Sequence, residues 1–315
     1  MIDFRELIKA GSHFGHVTAR WHPNMGQYIW GMKNKVHLID VSKTAFQLEK
    51  AAKVLEEIAA QDKQVLWVGT KRAAQKAVTD VGTKLNMPYV SHRWIGGTLS
   101  NFDQVKLSVT KFKHYEDILA RSEQFPYYTK KELNVFNKMV NRLKKSVGGL
   151  QSLRWPVGAL VVVDVTKEFS AIREATAMGV PVIAIVDTNG NPALVDYAIP
   201  ANDDAPRSIE VILEYLSAAV ARGKDAAKQA KAAQEAALAA ERAAKKDEAA
   251  KAVSAKKGAA EKSAADKPAA KPAESKPAEV AMAPKATEDD DADEQVVKKP
   301  AAKKNRAVVE DDEAE

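Results

Sequence analysis

The sequence predicts an α/β protein: a parallel sheet with helices on both faces, a helical hairpin inserted between strands, and a low-complexity tail. Three observations carry that reading. Short apolar runs alternate with stretches whose apolar residues recur at helical spacing. The runs are apolar throughout rather than alternating, as strands covered on both faces are. The composition then changes abruptly near Gly223.

In chain order, Val36 to Asp40 reads as a short strand and Thr44 to Ala60 as a helix, with Phe46, Leu48, Leu55 and Ile58 at helical spacing. Gln64 to Gly69 is a buried strand, Ala73 to Leu85 a helix, and Tyr89-Val90 a short strand after Pro88. Ala159 to Asp164 and Pro181 to Asp187 are further buried strands. Between them Ile172 to Met178 is a short helix stopped by Gly179. Ser208 to Ala221 is the last core helix.

The region from about 101 to 148 has no strand run. Two polar, basic helical patterns, Asn101 to Ser122 and Thr129 to Val147, flank Phe125-Pro126-Tyr127-Tyr128. Thr129-Lys130-Lys131-Glu132 has the spacing of a capping box. The pair reads as a projecting hairpin carrying Lys106, Lys111, Lys113, Lys130, Lys131, Lys138, Arg142, Lys144 and Lys145. A plain solvated face accounts for the same charges.

The domain boundary falls between residues 1–223 and 224–315. No Trp, Tyr or Phe follows Tyr215, so the tail cannot bury enough apolar surface to offset its ordering entropy. Lys224 to about Lys251 is Ala-rich with mixed charge and suits a solvated helix; the prolines beyond argue for disorder.

Charge divides along the same line. Residues 1–223 hold 29 basic and 22 acidic residues, net +7, and the tail holds 19 and 20, net −1. A basic folded domain points to a polyanion, most simply nucleic acid. The absence of cysteine excludes disulfides, thiolate metal sites and cysteine nucleophiles. No signal peptide or membrane-length apolar run is evident, so a soluble cytoplasmic protein is expected.

Three strand ends are polar: Gly69-Thr70-Lys71-Arg72, Asp164-Val165-Thr166-Lys167 and Asp187-Thr188-Asn189-Gly190. Ligands of open parallel sheets bind beyond such ends, which keeps a nucleotide- or phosphate-binding α/β enzyme as the alternative. The complete phosphate-loop and dinucleotide patterns are both missing. His13-Phe14-Gly15-His16 has an H-x-x-H spacing, but no carboxylate or thiol lies near it in the chain, so no metal ligands are assigned. No catalytic residue and no cofactor is assigned either.

The remaining signals favour RNA. Arg93-Trp94-Ile95-Gly96-Gly97-Thr98-Leu99-Ser100-Asn101-Phe102 sets a cation and an aromatic beside two glycines that admit a close neighbour. Gly11 to Lys35 interleaves glycines, aromatics and cations without a period, as surfaces for irregular RNA do. A strand-to-helix turn with Trp94 as core filler, and an ordered loop capping the sheet, fit the same residues.

Taken together, Gly11-Ser12-His13-Phe14-Gly15-His16, Trp21-His22-Pro23-Asn24-Met25, Ile39-Asp40-Val41-Ser42-Lys43-Thr44, Val68-Gly69-Thr70-Lys71 and the Arg93–Phe102 run resemble the bacterial S-two family of small-subunit ribosomal proteins. Ile172-Arg173-Glu174-Ala175, Asp187-Thr188-Asn189 and Ile199-Pro200-Ala201-Asn202-Asp203-Asp204-Ala205 extend the resemblance across the core. It implies a flavodoxin-like, Rossmann-like domain and a structural role on the ribosome. It also implies small-subunit ribosomal RNA as partner, with neighbouring proteins that include the largest one, and no enzyme activity, cofactor, membrane or small-molecule substrate. The candidate RNA contacts are Arg20, Trp21, His22, Lys33, Lys35, Lys71, Arg72, Arg93, Trp94, Lys111, Lys113, Lys130 and Lys131.

Overall fold

The computed structural model describes residues 2–121 and 128–263. The expected linker at 125–127 and the proline-rich tail after 263 lie outside these described residues. The chain divides into two units, Met1–Ala250 and Lys251–Glu315.

The first forty residues hold more secondary structure than their irregular pattern announces. Asp3 caps α1 (Phe4–Lys9). Then β1 (Phe14–Val17), β2 (Ile29–Lys33) and β3 (Val36–Ile39) form a separate antiparallel sheet in the order β1-β3-β2. Val36 to Asp40, expected in the parallel sheet, therefore belongs elsewhere. The cause is local: Asn34 and Lys35 both take left-handed φ (53° and 63°), the requirement of a tight hairpin turn that folds β3 back on β2.

Asp40 accepts a hydrogen bond from Ser42 N at 3.0 Å and starts α2 (Val41–Ala60) three residues ahead of the expected helix. The parallel sheet follows as β4 (Gln64–Val68), α3 (Gln75–Leu85) and β5 (Tyr89–Val90). The hairpin α4 (Phe102–Ala120) and α5 (Lys130–Val147) comes next, then β6 (Val157–Val163), α6 (Phe169–Ala177) and β7 (Val182–Val186). Last come β8 (Tyr197–Pro200), absent from the sequence reading, and α7 (Pro206–Ser263). The order β5-β4-β6-β7-β8 is parallel throughout, the flavodoxin-like arrangement with its switch point between β4 and β6.

Pleating divides the core into two layers. Val65 and Trp67 of β4 face one cluster with Leu48 and Leu55 of α2, Val78 of α3 and Leu216 of α7. Leu66 and Val68 face the other, with Phe112 of α4, Val147 of α5 and Ile172 of α6. Both faces are covered, as the continuous apolar runs required. Thr129 and Glu132 close the expected capping box at α5, with Thr129 N donating to Glu132 Oε2 at 2.8 Å. Tyr115 of α4 stacks on Phe136 of α5, ring centroids 5.4 Å apart. The last core helix does not stop at Ala221: α7 continues to Ser263.

Candidate nucleic-acid interface

The double-glycine run following β5 turns around a carboxylate supplied by α6. Glu174 accepts from Trp94 Nε1 (3.0 Å), Gly97 N (3.2 Å), Leu99 N (2.8 Å), Ser100 N (2.8 Å) and Ser100 Oγ (3.0 Å). Gly97 sits at φ +92°, a conformation side-chain-bearing residues rarely adopt. Burial opposes the charge on Glu174, but the donors of Ser100, Leu99 and Trp94 outweigh it and hold the carboxyl below its ordinary range. The N–H groups of this turn are thus spent on an internal anion, and the space beside Gly96 stays open. Trp94 is only 8% exposed and packs in the core, while Arg93 beside it is exposed.

The crevice beyond β4 and β6, where a doubly wound sheet takes a nucleotide, is filled from within. Thr70 donates both its N–H and its hydroxyl to Glu168 Oε1. Lys71 Nζ lies 2.7 Å from Asp203, 2.6 Å from Asp204 and 3.7 Å from Asp164. Burial opposes the charge of Lys71, yet its carboxylate partners raise its pKa well above the ordinary lysine value. Arg72, next in the chain, is exposed. Most polar groups of the loops that supported the nucleotide alternative are therefore paired within the protein, while Asn189 Oδ1 and Asp203 Oδ2 accept no hydrogen bond among the described residues.

His16 of β1 reaches the same crevice. Its Nδ1 approaches Asp187 Oδ2 at 2.9 Å and its Nε2 approaches Asp204 Oδ2 at 3.3 Å. The Asp187 hydrogen bond raises its pKa against the effect of burial. Asp203 is fully buried, and burial followed by the charges of Asp187 and Asp164 pushes it up to about 7. One ligand atom from each of His16, Asp187, Asp203 and Asp204 lies within 4.8 Å of the others. An imidazole with three carboxylates is a donor set for a divalent cation. The H-x-x-H pair itself is split, since His13 packs on the Phe14 ring at 4.0 Å. The carboxylates missing near His16 in the chain arrive through the fold.

The remaining candidates lie outward. Lys33 at the end of β2 and Lys35 within the β2–β3 turn are exposed, as are Arg20 and Trp21. Trp21 packs beside His37, ring centroids 5.4 Å apart. His22 is half-buried, with its N–H donated to Thr188 O at 2.7 Å and its Nδ1 accepting from Asn24 N. Lys111 and Lys113 on α4, and Lys130 and Lys131 on α5, are exposed. So are Lys106, Lys138, Arg142, Lys144 and Lys145, and none of these nine hairpin cations forms an ion pair among the described residues. Sequence reasoning missed Glu168, Glu174 and Asp203 as organising residues; each meets partners distant in the chain, which no spacing reveals.

The chain is similar to proteins of known family. The family profile described as "Ribosomal protein S2" matches residues 7–223. The chain is 41% identical over 222 residues to a Saccharophagus degradans protein named "Small ribosomal subunit protein uS2", covering 70% of this chain and 90% of that one. A protein of the same name from Bifidobacterium longum is 42% identical over 222 residues, covering 70% and 79%. Another, from Hahella chejuensis, is 40% identical over 257 residues, covering 78% and 99%.

Proposed function

The chain belongs to the ribosomal protein S2 family, whose members are structural, non-enzymatic constituents of the small ribosomal subunit, and we propose that it meets ribosomal RNA through the exposed cations of the α4–α5 hairpin and the β2–β3 turn. The observation that carries this reading is the row of nine hairpin cations, all exposed and none in an ion pair among the described residues. Exposed cations gathered on one hairpin repel one another in the free protein, and phosphates relieve that repulsion. Arg20, Arg72 and Arg93 extend the same charge outside the hairpin. Lys71 is assigned to the internal network and Trp94 to the core, so their contribution to RNA binding is the positioning of Arg72 and Arg93.

A protein neighbour is supported at the small antiparallel sheet, where Trp30 and Met32 of β2 are 76% and 64% exposed. The largest small-subunit protein is the neighbour proposed for this face.

The test is rebinding of tagged full-length protein to small subunits depleted of their own copy, followed by gradient sedimentation at several salt concentrations. Changing Lys111, Lys113, Lys130 and Lys131 together to Gln is expected to lower occupancy and to reduce the salt slope by about 0.7–0.9 for each phosphate that is no longer neutralised. Arg93→Ala is expected to weaken rebinding with an unchanged melting temperature. Normal rebinding and an unchanged slope in the fourfold variant would remove the hairpin from the interface.

A further inference from the structure

We propose that Trp155 is a stacking platform for an unpaired RNA base, set between two basic grooves at the root of the hairpin. The proposal deepens the ribosomal-RNA reading above and rests on it; what it adds to the hairpin cations Lys106 and Lys113 is the Trp155 ring, with Arg154 beside it. A groove of about 470 Å³ runs between α4 and the segment that links α5 to β6. Its floor is apolar and includes Val109 and Leu153; Lys106, Lys113 and Arg154 stand exposed along it. Among the described residues, no carboxylate lines it. A second groove of about 340 Å³ shares Arg154 and Trp155 and adds the exposed Lys63, with Lys224, whose ammonium donates to Leu85 O, at its wall. Asp62, an acid at its edge, is paired with Lys231.

Trp155 forms the ridge common to both grooves. Its ring lies 6.5 Å from that of Phe102 at an interplanar angle of 30°, and 42% of the residue remains open to solvent. A large aromatic held against a second ring, and still exposed, presents a preformed flat face whose immobilisation has already been met in the fold. Bases stack on such faces whatever their sequence. The cations on either side match the phosphates that precede and follow a stacked nucleotide. Lys106 and Lys113 make no ion pair among the described residues, so their charge is free for an outside anion. A protein partner would need acidic groups facing both grooves as well as an apolar side chain for the ring; a single strand of RNA supplies the anion and the ring together.

The experiment uses the full chain and, as probe, small subunits depleted of their own copy. Ultraviolet irradiation of the rebuilt subunits is expected to join the peptide containing Trp155 to a nucleotide, read by mass spectrometry. Trp155→Ala should weaken rebinding about 5- to 150-fold, the range for one stacked base, and Trp155→Phe should restore most of it. Lys106→Gln with Lys113→Gln should lower the salt slope by about 0.7 per lysine. Melting temperatures accompany each variant. If Trp155→Ala fails to fold, the cross-link from Trp155 of the wild-type protein decides the matter. Three results would overturn the proposal: rebinding of folded Trp155→Ala equal to wild type, a cross-link from Trp155 to protein alone, or an unchanged salt slope in the lysine pair. Wild-type protein that does not rebind at all would instead bring down the ribosomal-RNA reading, and the groove with it.

Discussion

Replacing Glu174 with Ala tests whether the double-glycine run is held by its internal anion. Five donors converge on this carboxylate. Three of them, on Gly97 and Ser100, can turn to water when the carboxylate is removed. The other two, Trp94 Nε1 and Leu99 N, belong to residues only 8% and 2% exposed. A buried donor left without a partner costs about 1–3 kcal/mol, so the two together predict a destabilisation near 3 kcal/mol. For a domain of this size that corresponds to roughly 6–12 °C in melting temperature. Urea unfolding of the full chain, followed by tryptophan fluorescence and circular dichroism, measures it. Glu174→Gln keeps one acceptor and should be destabilised about half as much. The pH profile supplies a second check. Because folding depresses the Glu174 pKa, its stabilisation is complete above the ordinary carboxyl range near 4.5 and fades as pH falls through the lower folded value. A change under about 0.5 kcal/mol in Glu174→Ala would refute the reasoning, because the turn would then hold its shape without the anion.

Asp203 should act in the opposite sense. Its folded pKa, about 7, lies above the ordinary 3.8, so between these values the folded protein keeps a proton that the unfolded chain releases. Stability from this group therefore declines as pH rises from about 4 to 7, and Asp203→Asn should gain on wild type over that interval; a difference independent of pH would contradict this. Gly15→Ala should destabilise by about 1–3 kcal/mol, since a Cβ there would lie 2.5 Å from Thr188 Cγ2, and thermal unfolding reads the result. Zn²⁺ or Mn²⁺ supplied well above its dissociation constant should raise the melting temperature by about 5–10 °C. A chelator should reverse the rise and His16→Ala should prevent it; no response to either cation would leave the His16 cluster as an ion-pair network alone.

The helices and strands of the central layer were legible because their cause is local. A run such as Val157–Val163 is apolar at every position, and a residue pattern of that kind has few places to go except between two covered faces. The capping box at Thr129 and the stop at Gly179 were legible for the same reason, since each depends on residues a few positions apart. Less legible was the N-terminal segment. Its strands are short and half-exposed, and the turn that pairs β2 with β3 uses Asn34 and Lys35 in place of the glycine that marks such turns. β8 was hidden because Tyr197–Pro200 is only four residues long and ends in proline.

The sequence by itself determined the class of fold, the inserted hairpin with its surplus of cations, and the composition of the tail. Those follow from periodicity and charge, which are sums over neighbours in the chain. The tertiary structure alone decided which polar groups are spent internally. Lys71 and Arg72 are adjacent and equally basic on paper, yet one is enclosed by Asp164, Asp203 and Asp204 while the other is exposed. Arg93 and Trp94 divide in the same way around Glu174. A charge is available to an outside partner only where no opposite charge has been brought within a few ångströms, and that depends on the meeting of residues far apart in the chain.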